Sequence, residues 1–279
     1  MILEGSPVIA AEKSEEIIVW NRLIDNPVAY RVLTLALDQS VPEFGPYRLT
    51  SSTPMEQGRM VAELEHNNSI HVASFAPNAE RESRLLPVRI PVTKGLLGIR
   101  VCLIRKGTQE LFNGVQSLEE WRERGLTIGQ GTHWPDTTIL EHNGLTVRKT
   151  AKYESLFKML ISKRFHCFSR SVSEVLPELD RYAEQGIELE RNLALVYRLP
   201  TFFFVSRDNP RLARRLNRGM QLAQQDGSFD RLINENYAPQ FKQLGLSQRT
   251  AIPLDNPLLS NETRAIVDNK ELWLDPFQE

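Results

Sequence analysis

The chain has 279 residues, with 34 basic against 35 acidic side chains and a formal net charge of -1. An apolar share of 41% and a charged share of 25% are ordinary for a globular protein, so a core can form without a disulfide scaffold or a structural metal. Balanced charge gives no long-range pull on a phosphate polymer, which excludes nucleic acid as the expected partner, and no apolar run approaches the roughly 18 residues that span a bilayer.

Ile17-Ile-Val-Trp20 is a β-branched and aromatic run that predicts a buried strand, broken by Asn21 to Pro27. Val32, Leu33, Leu35, Ala36 and Leu37 fall at helical spacing, and Val41 to Pro46 ends that helix with two prolines and a glycine. Tyr47 to Ser51 reads as a second strand, Met55 to Glu65 as a second helix, and Ser69 to Phe75 as a third strand. The alternation predicts an α/β sheet whose binding crevice lies beyond the carboxyl ends of its strands.

The rhythm restarts at Ser117-Leu-Glu-Glu120, a capping-box spacing in which hydroxyl and carboxylate satisfy exposed amides. Strands are expected at Leu126 to Ile128, Leu145 to Arg148, Phe165 to Phe168 and Thr201 to Val205, with a helix from Tyr153 to Ile161. Asn209-Pro210 reads as a helix cap with proline at the first helical position, and Leu212, Leu216, Met220 and Ala223 mark one face of a long helix closed by Gly227. Its arginines, 211, 214, 215 and 218, read as a solvated face. Residues 246–279 read as a tail packed on the body by a few apolar anchors.

Few motifs carry chemistry. Gly129-Gln-Gly131 lacks the third glycine of a dinucleotide fingerprint, no phosphate loop occurs, and the five histidines make no metal-ligand spacing, so neither a cofactor nor a metal is expected. The turn at Gly129 to Pro135 enters a helix whose free amides, with the Thr132 hydroxyl and nearby His133, suit an anionic group. Asn78-Ala-Glu-Arg81 directly follows a strand, where a planar guanidinium grips a carboxylate with two parallel hydrogen bonds. Cys102 and Cys167 can pair or stay free. Met1 to Glu12 lacks the basic start and apolar stretch of a secretory signal, but its small residues are compatible with the trimmed end of one.

The order of elements around Arg81 resembles the type 2 periplasmic solute-binding proteins, specifically the family 3 group associated with polar amino acid transporters. Two stretches carry the resemblance. Leu64 to Lys106 holds Asn78-Ala-Glu-Arg81, similar to Thr-x-x-Arg, and Ile90-Pro-Val-Thr-Lys-Gly95, similar to the approach to the first hinge; Leu118 to Ser171 holds the Gly131-Thr132 turn. The resemblance implies a type II two-lobed clamshell, with residues 14–100 plus 200–245 as one lobe and 106–196 as the other. Two hinge crossings are expected, near Val101 to Arg105 and Leu199 to Phe203.

It further implies that Arg81 and Thr132 hold a ligand carboxylate, that Ser74 lines the first lobe, and that Trp20 and Asn21 stack on and bond to the ligand. Ser171 stands near the position where amino acid binders place an aspartate for the ligand's ammonium, with Glu174 close by. The implied function is non-enzymatic capture of a small anionic or zwitterionic solute by an exported, periplasmic monomer that serves ABC-type uptake. Two alternatives keep the fold: a receptor component for a membrane sensor, or a dehydratase-like enzyme using Glu174 or His133 as general acid or base.

Overall fold

The computed structural model describes residues 14–277. The reading of the N-terminus as the end of a trimmed export signal concerns residues outside those described. Two β-sheet bodies follow one another in space, as the alternation predicts. In the first, Glu15–Val19 pairs in parallel with Tyr47–Ser51, and a bridge from Val19 to Val72 joins them to the strand Ala73–Phe75. The sheet continues through Phe202–Ser206, antiparallel to both Ala73–Phe75 and Leu85–Val88. Phe202, Phe203 and Phe204 are fully buried, which explains an apolar run without alternation: this strand is covered on both faces. Phe204 stacks on Phe75 with ring centroids 4.3 Å apart.

The second sheet runs in the order Thr250–Pro253, Leu193–Val196, Ile99–Arg105, Cys167–Ser171, Thr127–Gly131, Thr146–Thr150, with Ile187–Leu189 also pairing Ile99–Arg105. Its two central neighbours are joined by a disulfide, Cys102 to Cys167, with Cα atoms 5.1 Å apart and both residues buried. The pairing left open by the sequence is thereby settled.

Helices cover both sheets. Pro27–Gln39 buries Ala29, Val32, Leu33, Ala36 and Leu37 against the long helix Pro210–Gln225, which buries Leu212, Leu216, Gly219, Met220 and Ala223. Asn209 caps the latter by accepting from the Leu212 amide at 3.2 Å, with Pro210 at its first turn, as the sequence suggests. Ser117 likewise accepts from the Glu120 amide at 3.2 Å, while the Glu120 carboxylate reaches back to the Gln116 amide at 2.6 Å.

The arginine face of Pro210–Gln225 is not simply solvated. Arg215 is fully buried, donating to Ser40 Oγ at 3.1 Å and to Gly45 O at 2.6 Å and pairing with Glu15 at 2.8 Å, because a planar fork fits that ring of acceptors. The chain passes between the two bodies at residues 91–99 and again at 197–201, and these crossings touch. Tyr197 N donates to Gly98 O at 2.9 Å, and a Cβ on Gly98 would fall 1.9 Å from Tyr197 O, so only glycine admits the contact. Among the described residues no helix is long and apolar enough to cross a membrane.

Candidate functional site

A cavity of about 490 Å³ opens beside these crossings and takes its walls from both bodies. The first sheet supplies Ser74, from the short strand Ala73–Phe75, and the turn from Arg22 to Ala29 closes that side. Thr93, Leu97 and Thr201 come from the crossings themselves, and Ser173 and Glu174 from the loop after the second-sheet strand Cys167–Ser171. The helix Ser228–Leu244 adds Asn236, Tyr237 and Gln240. The lining is rich in hydroxyl and amide groups that give and accept hydrogen bonds, which suits a small polar solute.

Behind Glu174 lies a buried ionic network. Arg100, 3% exposed on the crossing strand Ile99–Arg105, pairs closely with Asp136 and donates through Nε to the Tyr197 hydroxyl at 3.0 Å. Tyr197 in turn donates to Asp136. Arg170 on the neighbouring strand pairs with Glu178 through three hydrogen bonds of 2.9, 2.7 and 2.6 Å, and the Tyr153 hydroxyl donates to the same carboxylate at 2.6 Å. Trp134, Tyr153 and Phe168 surround the Arg170 guanidinium at 5.0, 5.6 and 5.2 Å. Glu174 reaches both cations, Arg170 at 3.1 Å and Arg100 at 3.6 Å, while its side chain stays 41% exposed.

Burial works against the Arg100 charge, but Asp136, Tyr197 and Glu174 more than offset it and hold its pKa above the ordinary value. For Arg170 burial is likewise outweighed by Glu174 and Glu178. Burial, then the charge of Glu174, pushes the Tyr237 phenol up to about 12, so this phenol is a neutral donor in the cavity wall. Three carboxylates meet two guanidiniums here, and of the three Glu174 is the one that lines the cavity.

The structure brings Ser74 and Glu174 together on this cavity and places the other six sequence candidates elsewhere. Arg81 opens toward its own backbone: a guanidinium N–H donates to Ala76 O at 2.6 Å, and the group lies 5.3 Å over the Phe75 ring. Burial lowers its pKa, with a smaller opposing effect from Glu80. Trp20 is buried in the first body, its indole N–H donating to Met55 O at 3.2 Å. Asn21 accepts from the Met55 amide at 3.3 Å and lines a separate hollow with Arg22 and Glu56.

In the second body Thr132 and His133 are exposed. The strand there runs on to Gly131, so the turn is shorter than the sequence suggests, and the first turn of the helix Pro135–His142 carries the protein's own carboxylate, Asp136. Ser171 is fully buried and donates to Leu96 O at 3.1 Å, tying the second sheet to the crossing loop. Sequence reasoning misses Arg100, Arg170, Asp136 and Tyr197. The available signal is an arginine inside each of two strand runs, Ile99 to Ile104 and Cys167 to Ser171, where an unpaired charge would be too costly to bury.

No protein-family model and no curated protein sequence matches the chain. Solved structures do match in fold. An ancestral arginine-binding protein bound to glutamine superposes with a TM-score of 0.55 at 15% identity, covering 81% of this chain and 99% of that one. A putative binding component of an ABC transporter from Wolinella succinogenes, complexed with lysine, gives 0.54 at 12% identity, over 80% and 95%. The VFT2 domain of Bordetella pertussis BvgS gives 0.55 at 13% identity, over 80% and 93%. The chain therefore has the two-lobed α/β fold of the periplasmic solute-binding proteins, in a divergent sequence.

Proposed function

We propose that this protein is a non-enzymatic, exported solute-binding protein that captures a small amino-acid-like zwitterion between its two lobes and presents it to a membrane permease or sensor. One observation carries the reading: a polar cavity beside the hinge crossings takes Ser74 from one lobe and Glu174 from the other. A solute touching both sides makes more contacts when the lobes approach, and such differential contact is what drives closure. Neighbours of the same fold include amino-acid binders and a sensor domain, which supports solute capture and leaves either partner open to the same clamshell.

In this reading Glu174, with Asp25 on the same wall, receives the solute's cationic group. Ser74 and Thr93 supply hydroxyl donors for the carboxylate end. Arg81 is less favoured as the carboxylate grip, since it does not line this cavity. The buried disulfide supports export, since such bonds persist in oxidising compartments.

A thermal-shift screen of amino acids, dicarboxylates and short peptides, followed by calorimetry, tests this. A ligand that binds only the folded state at about a hundred times its Kd adds roughly 2.7 kcal/mol. The expected hit carries a cation, and Glu174→Gln weakens it at least tenfold while Arg81→Ala does not. Selective binding of a dicarboxylate, unaffected by Glu174→Gln, would overturn the assignment, and turnover of the hit would overturn the non-enzymatic reading.

A further inference from the structure

The C-terminal segment joins the two lobes again, beyond the two crossings. The helix Ser228–Leu244 packs on the first-lobe helices Pro27–Gln39 and Pro210–Gln225, and the chain then crosses to the second sheet as the strand Thr250–Pro253. Arg249 fixes that arrival: its buried guanidinium donates to Leu193 O at 2.9 Å and meets the fully buried Glu190 at 3.4 Å. Asp255 is held by the side-chain amide of Asn143, which caps a second-lobe helix, through bonds of 3.0 and 2.7 Å to its N–H and carbonyl.

The segment then turns back across the hinge. Asn256 donates to Arg198 O, on the crossing itself, at 2.7 Å. Ser260 and Thr263 donate their hydroxyls to the two carboxylate oxygens of Glu82, each at 2.9 Å, on the first-lobe helix Ala79–Arg84. Glu82 is 7% exposed and pairs with Arg89 at 2.7 Å. Finally Trp273 packs on Gly95, the Arg198 guanidinium lies 4.7 Å from its ring, and Leu274 N donates to Lys94 O at 2.9 Å.

We propose that residues 246–277 form a brace across the hinge that holds the lobes near their present separation and limits how far they open. A clamshell with two crossings opens by rotation in a few residues of each. Here a further outward and a further return passage lie beside them, and only four residues lie between Asp255, anchored on the second lobe, and Ser260, anchored on the first. Wide opening therefore has to break either the Asn143 contacts or the buried, charge-assisted bonds at Glu82. Trp273 and Leu274 also seat the loop that carries Thr93 and Leu97 into the cavity, so the brace fixes part of the solute wall. The inference goes beyond the proposed function and does not depend on which solute is bound.

The test is a distance distribution between spin labels on R214C and E123C, exposed positions on helices of the first and second lobes, in the full chain without solute. The parent is expected to give one narrow distribution. Combining Ser260→Ala with Thr263→Val, or introducing Trp273→Ala alone, should broaden it and shift it to longer distances. The single variant keeps the test open should the double variant not fold. Hydrogen exchange on the parent should show slow exchange at the Thr263 and Leu274 amides. A parent distribution that is already broad, variants that superpose on the parent, or exchange of both amides at solvent rates would overturn the brace. Loss of solute binding alone would bear on the proposed function and not on this.

Discussion

Arg100 interrupts an otherwise apolar strand and Arg170 sits between two serines of a fully buried one, and what they cost the fold depends on the carboxylates that meet them. Asp136 is 4% exposed, so its removal strands a buried guanidinium, and Asp136→Ala should lower the unfolding free energy by about 3–5 kcal/mol in urea titration. Glu174 is 41% exposed, and Glu174→Gln should cost under about 1 kcal/mol, so affinity and stability separate at this position. His166 offers a pH test. Burial lowers its pKa, and its Nδ1 accepts from the Thr127 amide at 3.0 Å, a bond that needs the neutral ring. Because the folded pKa lies below the unfolded one, the unfolded chain takes up the proton first. This contribution is intact above about pH 6.5 and is lost as pH falls through the window below it. Asparagine keeps an acceptor at the same place without titrating, so His166→Asn should flatten the acid side of the stability profile below about pH 6.5. Glu174 and Ser74 entered the reading only through the family resemblance, and both lie on the cavity wall. The ionic network was not legible, because sequence shows that a charge sits in an apolar run but not which carboxylate reaches it.

Helices and strands follow the pattern of apolar residues closely where packing and propensity agree. Tyr47–Ser51 and Tyr153–Ile161 have the bounds that the sequence suggests, while Leu126 to Ile128 becomes Thr127–Gly131 and Phe165 to Phe168 becomes Cys167–Ser171. The slips occur where glycines or polar residues are drawn into the ladder by their neighbours, a tertiary effect that local propensity cannot register. The helix Ser228–Leu244 has no counterpart in the sequence reading, and Pro239 inside it works against recognition. Gly219 gives the sharpest test at this scale. It lies on the same face as Leu216 and Ala223, and a Cβ there would fall 1.7 Å from Ala36 O on the facing helix. Alanine is the better helix former by roughly 1 kcal/mol, yet a clash with backbone cannot be relieved by a rotamer change. Gly219→Ala is therefore expected to destabilise by about 2 kcal/mol despite its propensity, read from the midpoint of a urea titration.

For the whole molecule, the alternation of strand and helix was enough to suggest an α/β chain in two lobes, because binary pattern and element order survive sequence divergence. The strand that the C-terminal segment adds was not legible: the second sheet recruits Thr250–Pro253 from far down the chain, and parallel pairing between distant segments leaves no local mark. The disulfide belongs to the same class of long-range fact. Cys102 and Cys167 are 65 residues apart, and their bond closes a loop that contains the helix-and-strand units of the second lobe from Leu118 to Ile161. In the chain-entropy description, closing a loop of that length removes about 4 kcal/mol of freedom from the unfolded state. At roughly 2–4 °C per kcal/mol for a chain of this order of size, replacing both cysteines with serine should lower Tm by about 10 °C in scanning calorimetry. The parent melted with a reductant should lose a similar amount once its buried bond is reached, whereas the double-serine variant should ignore the reductant. A parent whose melting is indifferent to reductant, and equal to that of the variant, would mean that the bond contributes nothing to the fold and would remove the structural support for an oxidising compartment.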